Sequence, residues 1–389
     1  VPMDVTWEQA CARRLERQGL GRANKGTTTA RGRIPQMAGS ICGAHAQVMS
    51  AAEHSLGLRV PGVTRRDVRA ALWEERSLVK SFGPRGTVHL LPAADVALWM
   101  GALAAIPTPP SSLPKHARMT PDQTGQVFDA IAAALDGREL TREELSREVI
   151  AATGPWAGDP VVPAFQGNGP RWMQAISYAG RRGMLCFGPN RGRNITYTNL
   201  LAWVPGFEPA APLDAVEFAV RRFLHAYGPA TPRQFAQWIG CSPAWAVGTF
   251  ESLGDRLESV GFEGGPAWIN AGDGDFPDEP SSGTRLLPYF DAYGIGSHPR
   301  PRVFAGQATT RALGNGQAGT MQVLLVDGVV GGVWHQKRSG KRIAVTVEAF
   351  RRLGKRQLGE LEAQADLLGV VMEGEVSLAL GEVTVGHHA

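Results

Sequence analysis

Apolar positions along the chain change period in a recurring order, helical spacing first and alternation second. From Thr64 to Pro92, Val68, Ala71 and Leu72 fall at helical spacing behind Thr64, whose hydroxyl can cap the helix. The runs SLVKSF and TVHLL then flank Gly83-Pro84-Arg85-Gly86 as two strands flank a hairpin turn. In a second set, from Met119 to Leu200, Val127, Ile131, Ala134 and Leu135 repeat at helical spacing and Thr141 and Glu144 are spaced as a capping box. There GMLCF and NITYTNL bracket a basic turn at Pro189 to Arg193. A third set spans Ala215 to Ile269, where GPATPRQFAQWIG and SPAWAVGTFESL predict two helices and LESVGF with PAWI a short hairpin. Helices followed by a hairpin wing are the winged-helix arrangement, so three repeats predict tandem winged-helix modules.

From about Leu286 the pattern changes to short β-rich runs with Gly and Asp turns: LLPYFDAYGIG, VFAGQATT, MQVLLVDGVVGGVWHQ, KRIAVTVEAF and VSLALGEVTVGHH. These predict a small antiparallel β-barrel or a curled sheet, and the Gly-, Asp-, Pro- and Ser-rich segment Gly272–Gly283 predicts a linker before it. The expected fold is α+β: three tandem winged-helix modules in a C-shaped arrangement plus a C-terminal small β-barrel. The expected divisions are 1–115 (N-terminal helices and the first winged helix), 116–205 (the second), 206–272 (the third) and 283–389 (the barrel).

The length of 389 residues exceeds what one hydrophobic core usually supports, in keeping with several modules. With 43% hydrophobic residues and no apolar run of membrane-spanning length, the composition is that of a soluble globular chain with no membrane partner. The amphipathic, charged start VPMDVTWEQACARRLERQGL does not read as a signal peptide, so a cytoplasmic location is expected. Cys11, Cys42, Cys186 and Cys241 are scattered without a CxxC pair, which predicts neither a zinc site nor a disulfide framework. Net charge is only +4, yet of 40 basic residues 34 are Arg and 6 Lys. Arginine forks phosphate and stacks on bases, which suits a nucleic-acid surface; a GC-rich genome produces the same bias without any functional cause. No Walker, HExxH or GxSxG element occurs, so no nucleotide cofactor, metal or serine nucleophile is indicated.

Three recognition helices in one chain exceed what a dimeric repressor needs, whereas an arc of such modules can surround a duplex. One stretch then stands out: ICGAHAQVMSAAEHSLGLRV, Ile41–Val60. Ser50 to Glu53 has capping-box spacing, which predicts a helix starting at Ser50 and an extended or turning joint over Ala44–Met49. In extended backbone, residues two apart face the same way, so His45 and Gln47 can point together into one cleft. A turn histidine that merely bonds backbone fits the local sequence equally well. His54, on the helix, reads as a packing or surface residue.

This stretch, followed by TRRDVRAALWEERSLVKSFGPRGTVHLLPAADVALWM, RLLPYFDAYGIG and QVLLVDGVVGGVWHQ in that order, resembles the AlkZ/YcaQ-type winged-helix DNA glycosylases over nearly the whole chain. The resemblance implies an enzyme whose catalytic pair is His45 and Gln47. The family pattern is Gln-apolar-Gln or Gln-apolar-Asp, and His45 departs from it at the first position. The chain thereby is similar to a His-apolar-Gln subgroup associated with self-resistance to pluramycin-type agents such as hedamycin, which intercalate and alkylate guanine N7. The implied partner is double-stranded DNA containing alkylated guanine, and no cofactor is implied. N7-alkylguanine is already cationic, so its glycosidic bond needs little more than a placed water. An imidazole, titrating near neutrality, can accept that water's proton while the Gln47 carbonyl fixes it, help worth about 10²–10⁴-fold. No Lys lies in the stretch, which predicts a monofunctional glycosylase without a Schiff-base step. An intercalated polycycle is hard to turn into a snug pocket, which favours an open channel.

Basic turns supply the expected DNA contacts. They are Arg85 and His89 on the first wing, Arg191 and Arg193 in GPNRGR, His298 and Arg300 in SHPRPR, and Lys337, Arg338, Lys341 and Arg342 in HQKRSGKR. Each is matched by a plainer alternative, a solvated hairpin tip or, for His89, packing of the wing. The rival to a glycosylase is a catalytically silent winged-helix DNA-binding protein, either a drug-adduct sequestering factor or a regulator.

Overall fold

The structure is a computed structural model that describes residues 3–21, 31–109, 111, 113–163 and 167–388. The chain forms two units, one of Val1–Glu74, Val220–Trp238 and Ser242–Ala389, the other of Glu75–Ala219 and Ile239–Cys241.

The first unit opens with β1 (Asp4–Val5) and α1 (Trp7–Arg17), whose first turn is closed by a reciprocal capping box between Thr6 and Gln9. Helix α1 buries Trp7, Ala10, Cys11 and Leu15 together with Arg14. The Arg14 guanidinium is tolerated there because it donates to the carbonyls of Gly228, Pro229 and His298. Next come α2 (Arg33–Ser40), the two-residue β2 (Ala44–His45), α3 (Met49–Arg59) and α4 (Arg65–Trp73). Every residue of α3 from Ala51 to Arg59 is buried, the mark of a helix packed on all sides. Thr64 caps α4 as expected, in a box with Asp67.

The second unit begins with the antiparallel hairpin β3 (Leu78–Phe82) and β4 (Val88–Pro92), in register Phe82 to Val88 across the expected turn. There follow α5 (Val96–Ala105), α6 (Pro121–Ala134), β5 (Leu140–Thr141) and α7 (Arg142–Thr153), the last with the expected Thr141–Glu144 box. A small hairpin, β6 (Pro160–Pro163) with β7 (Asn168–Pro170), and α8 (Ile176–Arg181) precede β8 (Cys186–Arg191) and β9 (Asn194–Thr198). These form a second hairpin joined by β5. Phe82, Phe187 and Tyr197 pack ring on ring at its base, and Trp99 and Trp172 are fully buried.

Helices α9 (Pro212–Tyr227), α10 (Pro232–Ile239) and α11 (Pro243–Leu253) lead into the hairpin β10 (Leu257–Phe262) and β11 (Gly265–Asn270). Strand β1 adds in parallel to β10, giving the order β1-β10-β11. The segment Gly272–Gly283, expected to be a linker, carries no helix or strand but lies within the first unit, where Asp273 is gripped by both terminal nitrogens of Arg17.

The C-terminal region is a five-stranded sheet in the order β12 (Thr284–Leu287), β13 (Gln322–Val326), β14 (Val329–Ser339), β15 (Arg342–Ala349), β16 (Glu375–Leu380). Three short helices, Ala292–Gly296, Arg300–Val303 and Ala308–Arg311, link β12 to β13. Two features depart from the antiparallel barrel expected from sequence. Among the described residues β12 and β16 are the ends of the sheet, and β16 runs parallel to β15. The parallel pair needs a crossover, supplied by an 18-residue helix, Lys355–Met372, in a stretch where no element was expected. Alternating residues sort onto two faces. Leu287, Val323, Leu325 and Val333 join the core around Trp7, Leu15 and Phe262, whereas Leu286, Leu324, Trp334 and Val345 pack with Leu361, Leu368 and Met372 of the crossover helix. That helix also lies on α3, close enough at Gly57 that a Cβ there would run into the Val371 methyls.

Candidate active site

Helix α2 ends abruptly. Cys42 and Gly43 both take left-handed backbone conformations, φ 60 and 95, and Gly43 N–H closes on Ala38 O at 2.7 Å. The Tyr227 hydroxyl donates to Ile41 O at 3.0 Å and pins the end. The chain then enters the extended or turning joint expected over Ala44–Met49, which ends one residue earlier: Ala44–His45 is strand, Gln47 and Val48 bend, and Val48 has φ −109 and ψ 107. On this joint His45 is only 8% exposed, whereas Gln47 faces solvent.

The start of α3 corrects one expectation. The helix begins at Met49 rather than Ser50, its N-cap Val48 gives no side-chain cap, and Glu53 does not reach back to close a capping box. Glu53 is instead fully buried and engaged by Arg69 Nε at 2.6 Å and Arg65 Nε at 3.4 Å. A carboxylate removed from water is stabilised far more by cations than by one amide N–H, so α4 claims it.

The His45 ring stacks on Phe290, centroids 4.6 Å apart and planes inclined by 21°. Phe290 precedes Asp291, which receives both terminal nitrogens of Arg59 at 2.7 and 2.8 Å and the Ser55 hydroxyl at 2.8 Å. Burial alone would raise the Asp291 carboxyl, but the Arg59 ion pair and these hydrogen bonds outweigh it and hold it below the usual carboxylate range. His54 is buried edge-on against Trp334, and burial lowers it to about 4, so it is neutral near pH 7. Of the two roles expected for His54, packing or surface, its burial fits packing. Among the described residues no three His, Cys, Asp or Glu side chains converge as a metal site, and no helix is long and apolar enough to cross a membrane.

The residues expected to meet DNA occupy two kinds of place. Lys337, Arg338, Lys341 and Arg342 are exposed at the tip of the β14–β15 hairpin, where Arg338 also donates to Met372 O at 2.9 Å. Arg193 is exposed in the β8–β9 turn, while Arg191 grips both oxygens of Glu144. Arg85 sits half-buried in the first turn at φ 59. Three others face inward. His89 is buried with Nδ1 2.9 Å from Thr87 O. His298 is buried, and burial together with Arg300 and Arg14 lowers it to about 3. Arg300 donates to the carbonyls of Gly294, Ile295 and Ser297 and so closes its own loop.

Two groups escaped sequence reasoning. The Phe290–Asp291–Arg59 set depends on contacts distant in sequence; its only local signal was the FDAYG turn. Arg65, Arg66 and Arg69 of α4 line a groove of about 670 Å³ with Arg338, Lys341, Glu373 and Glu375. Their signal was the basic start of that helix, TRRDVR.

Helix-and-hairpin sets with exposed basic turns are an arrangement suited to holding nucleic acid. The chain belongs to the AlkZ-like DNA glycosylase family, whose profile matches residues 38–370. It is similar to the interstrand DNA cross-link repair glycosylase of Streptomyces sahachiroi, 28% identical over 349 residues that cover 85% of this chain and 88% of that protein. The solved structure of the Streptomyces sahachiroi DNA glycosylase AlkZ matches with a TM-score of 0.81 at 26% identity, covering 97% of this chain and 100% of that one. The protein is thus a DNA repair glycosylase with a mixed α+β fold.

Proposed function

We propose that the enzyme is a monofunctional glycosylase acting on bulky N7-alkylguanine in duplex DNA, of the kind left by intercalating pluramycin- or hedamycin-type alkylators, with His45 and Gln47 as its catalytic pair. The observation that carries this reading is the joint itself: a buried imidazole held against Phe290, with a solvent-facing amide two residues on. In the reaction a water oxygen bonds to C1′ as the C1′–N9 bond breaks. The bonding pair leaves with the base and neutralises the charge that alkylation placed on it. His45 takes the water's proton and Gln47 fixes the water through its carbonyl.

The helix-and-hairpin sets serve as three winged-helix modules gripping the duplex. Phosphate contacts fall to the exposed cations, Arg193, Lys337, Arg338, Lys341 and Arg342, with Arg65, Arg66 and Arg69 added from α4. Arg191 shares the β8–β9 wing with Arg193, and Arg85 lies on the β3–β4 wing. His89, His298 and Arg300, used internally, support those loops.

A single-turnover assay on duplexes carrying either 7-methylguanine or a hedamycin-type guanine adduct, followed by alkaline cleavage of abasic sites, tests the proposal. Strand breaks at the bulky adduct that vanish in the His45→Ala/Gln47→Ala double variant, with DNA binding retained, are the expected result. Base release unchanged in that variant removes the pair from catalysis. Tight adduct binding without breaks on either duplex moves the protein to adduct sequestration.

A further inference from the structure

Phe290 has a backbone φ of 56, in the left-handed region. For a bulky aromatic residue this conformation is strained and persists only where neighbours over-determine it, a situation concentrated at functional sites. The neighbours here are identifiable. Phe290 N–H donates to Gly319 O at 2.8 Å, and Gly319 approaches so closely that a Cβ on it would lie 3.2 Å from both Phe290 Cα and Cδ1. On the other side Asp291 is locked by Arg59 and Ser55, both on α3, with side-chain exposures of 0% for Arg59 and 2% for Asp291. Helix α3 starts directly after the His45–Gln47 joint. The contacts therefore close a circuit. The joint leads into α3, α3 holds Asp291, Asp291 fixes its neighbour Phe290, and the Phe290 ring returns to stack on His45.

Simple core filling does not account for this arrangement. Phe290 is half-buried, and its remaining aromatic neighbours, Tyr289 and the exposed His388, lie at 6.3 and 5.6 Å between centroids. A strained backbone carries this ring, the buried ion pair of the next residue, which also caps the helix Ala292–Gly296, flanks it, and the ring that meets it at stacking distance is an imidazole. Stacking covers one face of that imidazole and fixes its plane.

We infer that Phe290 is a positioning residue for the glycosylase reaction: its ring, held by the Arg59–Asp291 pair, sets the plane of His45 against the attacking water. The inference rests on the proposed role of His45. Misplacing a reacting group by about 1 Å can cost on the order of 10²-fold in rate, and a loss of that size is expected when the ring is removed.

The test compares the wild type with Phe290→Leu and Phe290→Met, which lack a ring, Phe290→Tyr, which keeps it, and His45→Ala. The substrate is a duplex from which the wild type releases base. Single-turnover rate at saturating enzyme, Kd for the same duplex and melting temperature are read for each. The ringless variant that melts nearer to the wild type is expected to be about 10- to 100-fold slower with Kd changed less than about threefold, and Phe290→Tyr to recover most of the rate. A ringless variant at the wild-type rate overturns the inference, as does a Tyr variant as slow as the Leu variant. A loss confined to Kd also overturns it, because Phe290 would then grip DNA instead of positioning His45. Full activity in His45→Ala sinks the catalytic-pair reading itself, whereas an inactive His45→Ala beside an unaffected Phe290→Leu sinks the positioning inference alone.

Discussion

Helix α3 carries a buried carboxylate contact at each end, and the two ends behave oppositely. Near its start Glu53 is fully buried but its partners keep contact with water, with side-chain exposures of 22% for Arg65 and 47% for Arg69. Near its end Arg59 and Asp291 are buried together, bidentate, with Ser55 filling a further lone pair. Burial raises the Glu53 carboxyl and its solvent-touching partners only partly counter this, so its pKa stays above the ordinary value. Asp291 feels the same burial, but its partner is desolvated with it and wins, so its pKa stays below. A buried acid is thus kept ionised when the cation and the remaining hydrogen bonds are buried with it. The stronger of the two arrangements stands behind Phe290.

The largest expected effect breaks that stronger end. Arg59→Ala leaves Asp291 buried without its cation and should cost about 3–5 kcal/mol in urea unfolding at pH 7. A loss no greater than that of Glu53→Gln would erase the contrast. Acid titration comes next. His54 lies between the two ends and is lowered to about 4 when folded, against about 6.5 unfolded. Between those values the unfolded chain binds a proton that the folded chain does not, so stability present above pH 6.5 is lost as pH falls toward 4. His54→Gln should flatten this by up to about 1.4 kcal/mol per pH unit. Asp291, lowered in the fold, adds its own loss at lower pH still, which persists in that variant.

Gly57→Ala, between the two ends, forces a methyl against Val371 and should cost about 1–3 kcal/mol, measured as a lower melting temperature. The smallest effect belongs to Glu53. Its raised pKa means that stability declines as pH rises from the unfolded value through the folded one. Glu53→Gln should therefore gain on the wild type as pH rises through that window, and a gain that shrinks instead would show Glu53 to be the better-paired acid.

Short-range codes were legible in the sequence. The caps at Thr64 and Thr141 and the three hairpins rest on neighbours a few residues apart and all formed, although β8 runs on to Arg191 and leaves only Gly192 and Arg193 of the turn expected at Pro189–Arg193. The box at Ser50–Glu53 had the same spacing and failed, because α4 offers two guanidinium groups to a carboxylate that the fold buries. The helix Lys355–Met372 has Leu358, Leu361, Ala365, Leu368 and Met372 at helical spacing, but β-like runs on both sides hid it. Basic composition could not separate Lys337 and Lys341, which face solvent, from Arg300, which spends its donors on its own loop. The extended joint at His45 was readable from its spacing, and its significance from the resemblance. The stack on Phe290 was not readable, since nothing near either residue encodes their meeting.

Because α3 both issues from the His45–Gln47 joint and carries Ser55 and Arg59, the joint and the side chains that hold Asp291 belong to one short stretch of chain. Under the proposed role of His45, a change at Ser55 or Arg59 is therefore expected to reach the imidazole through this one helix.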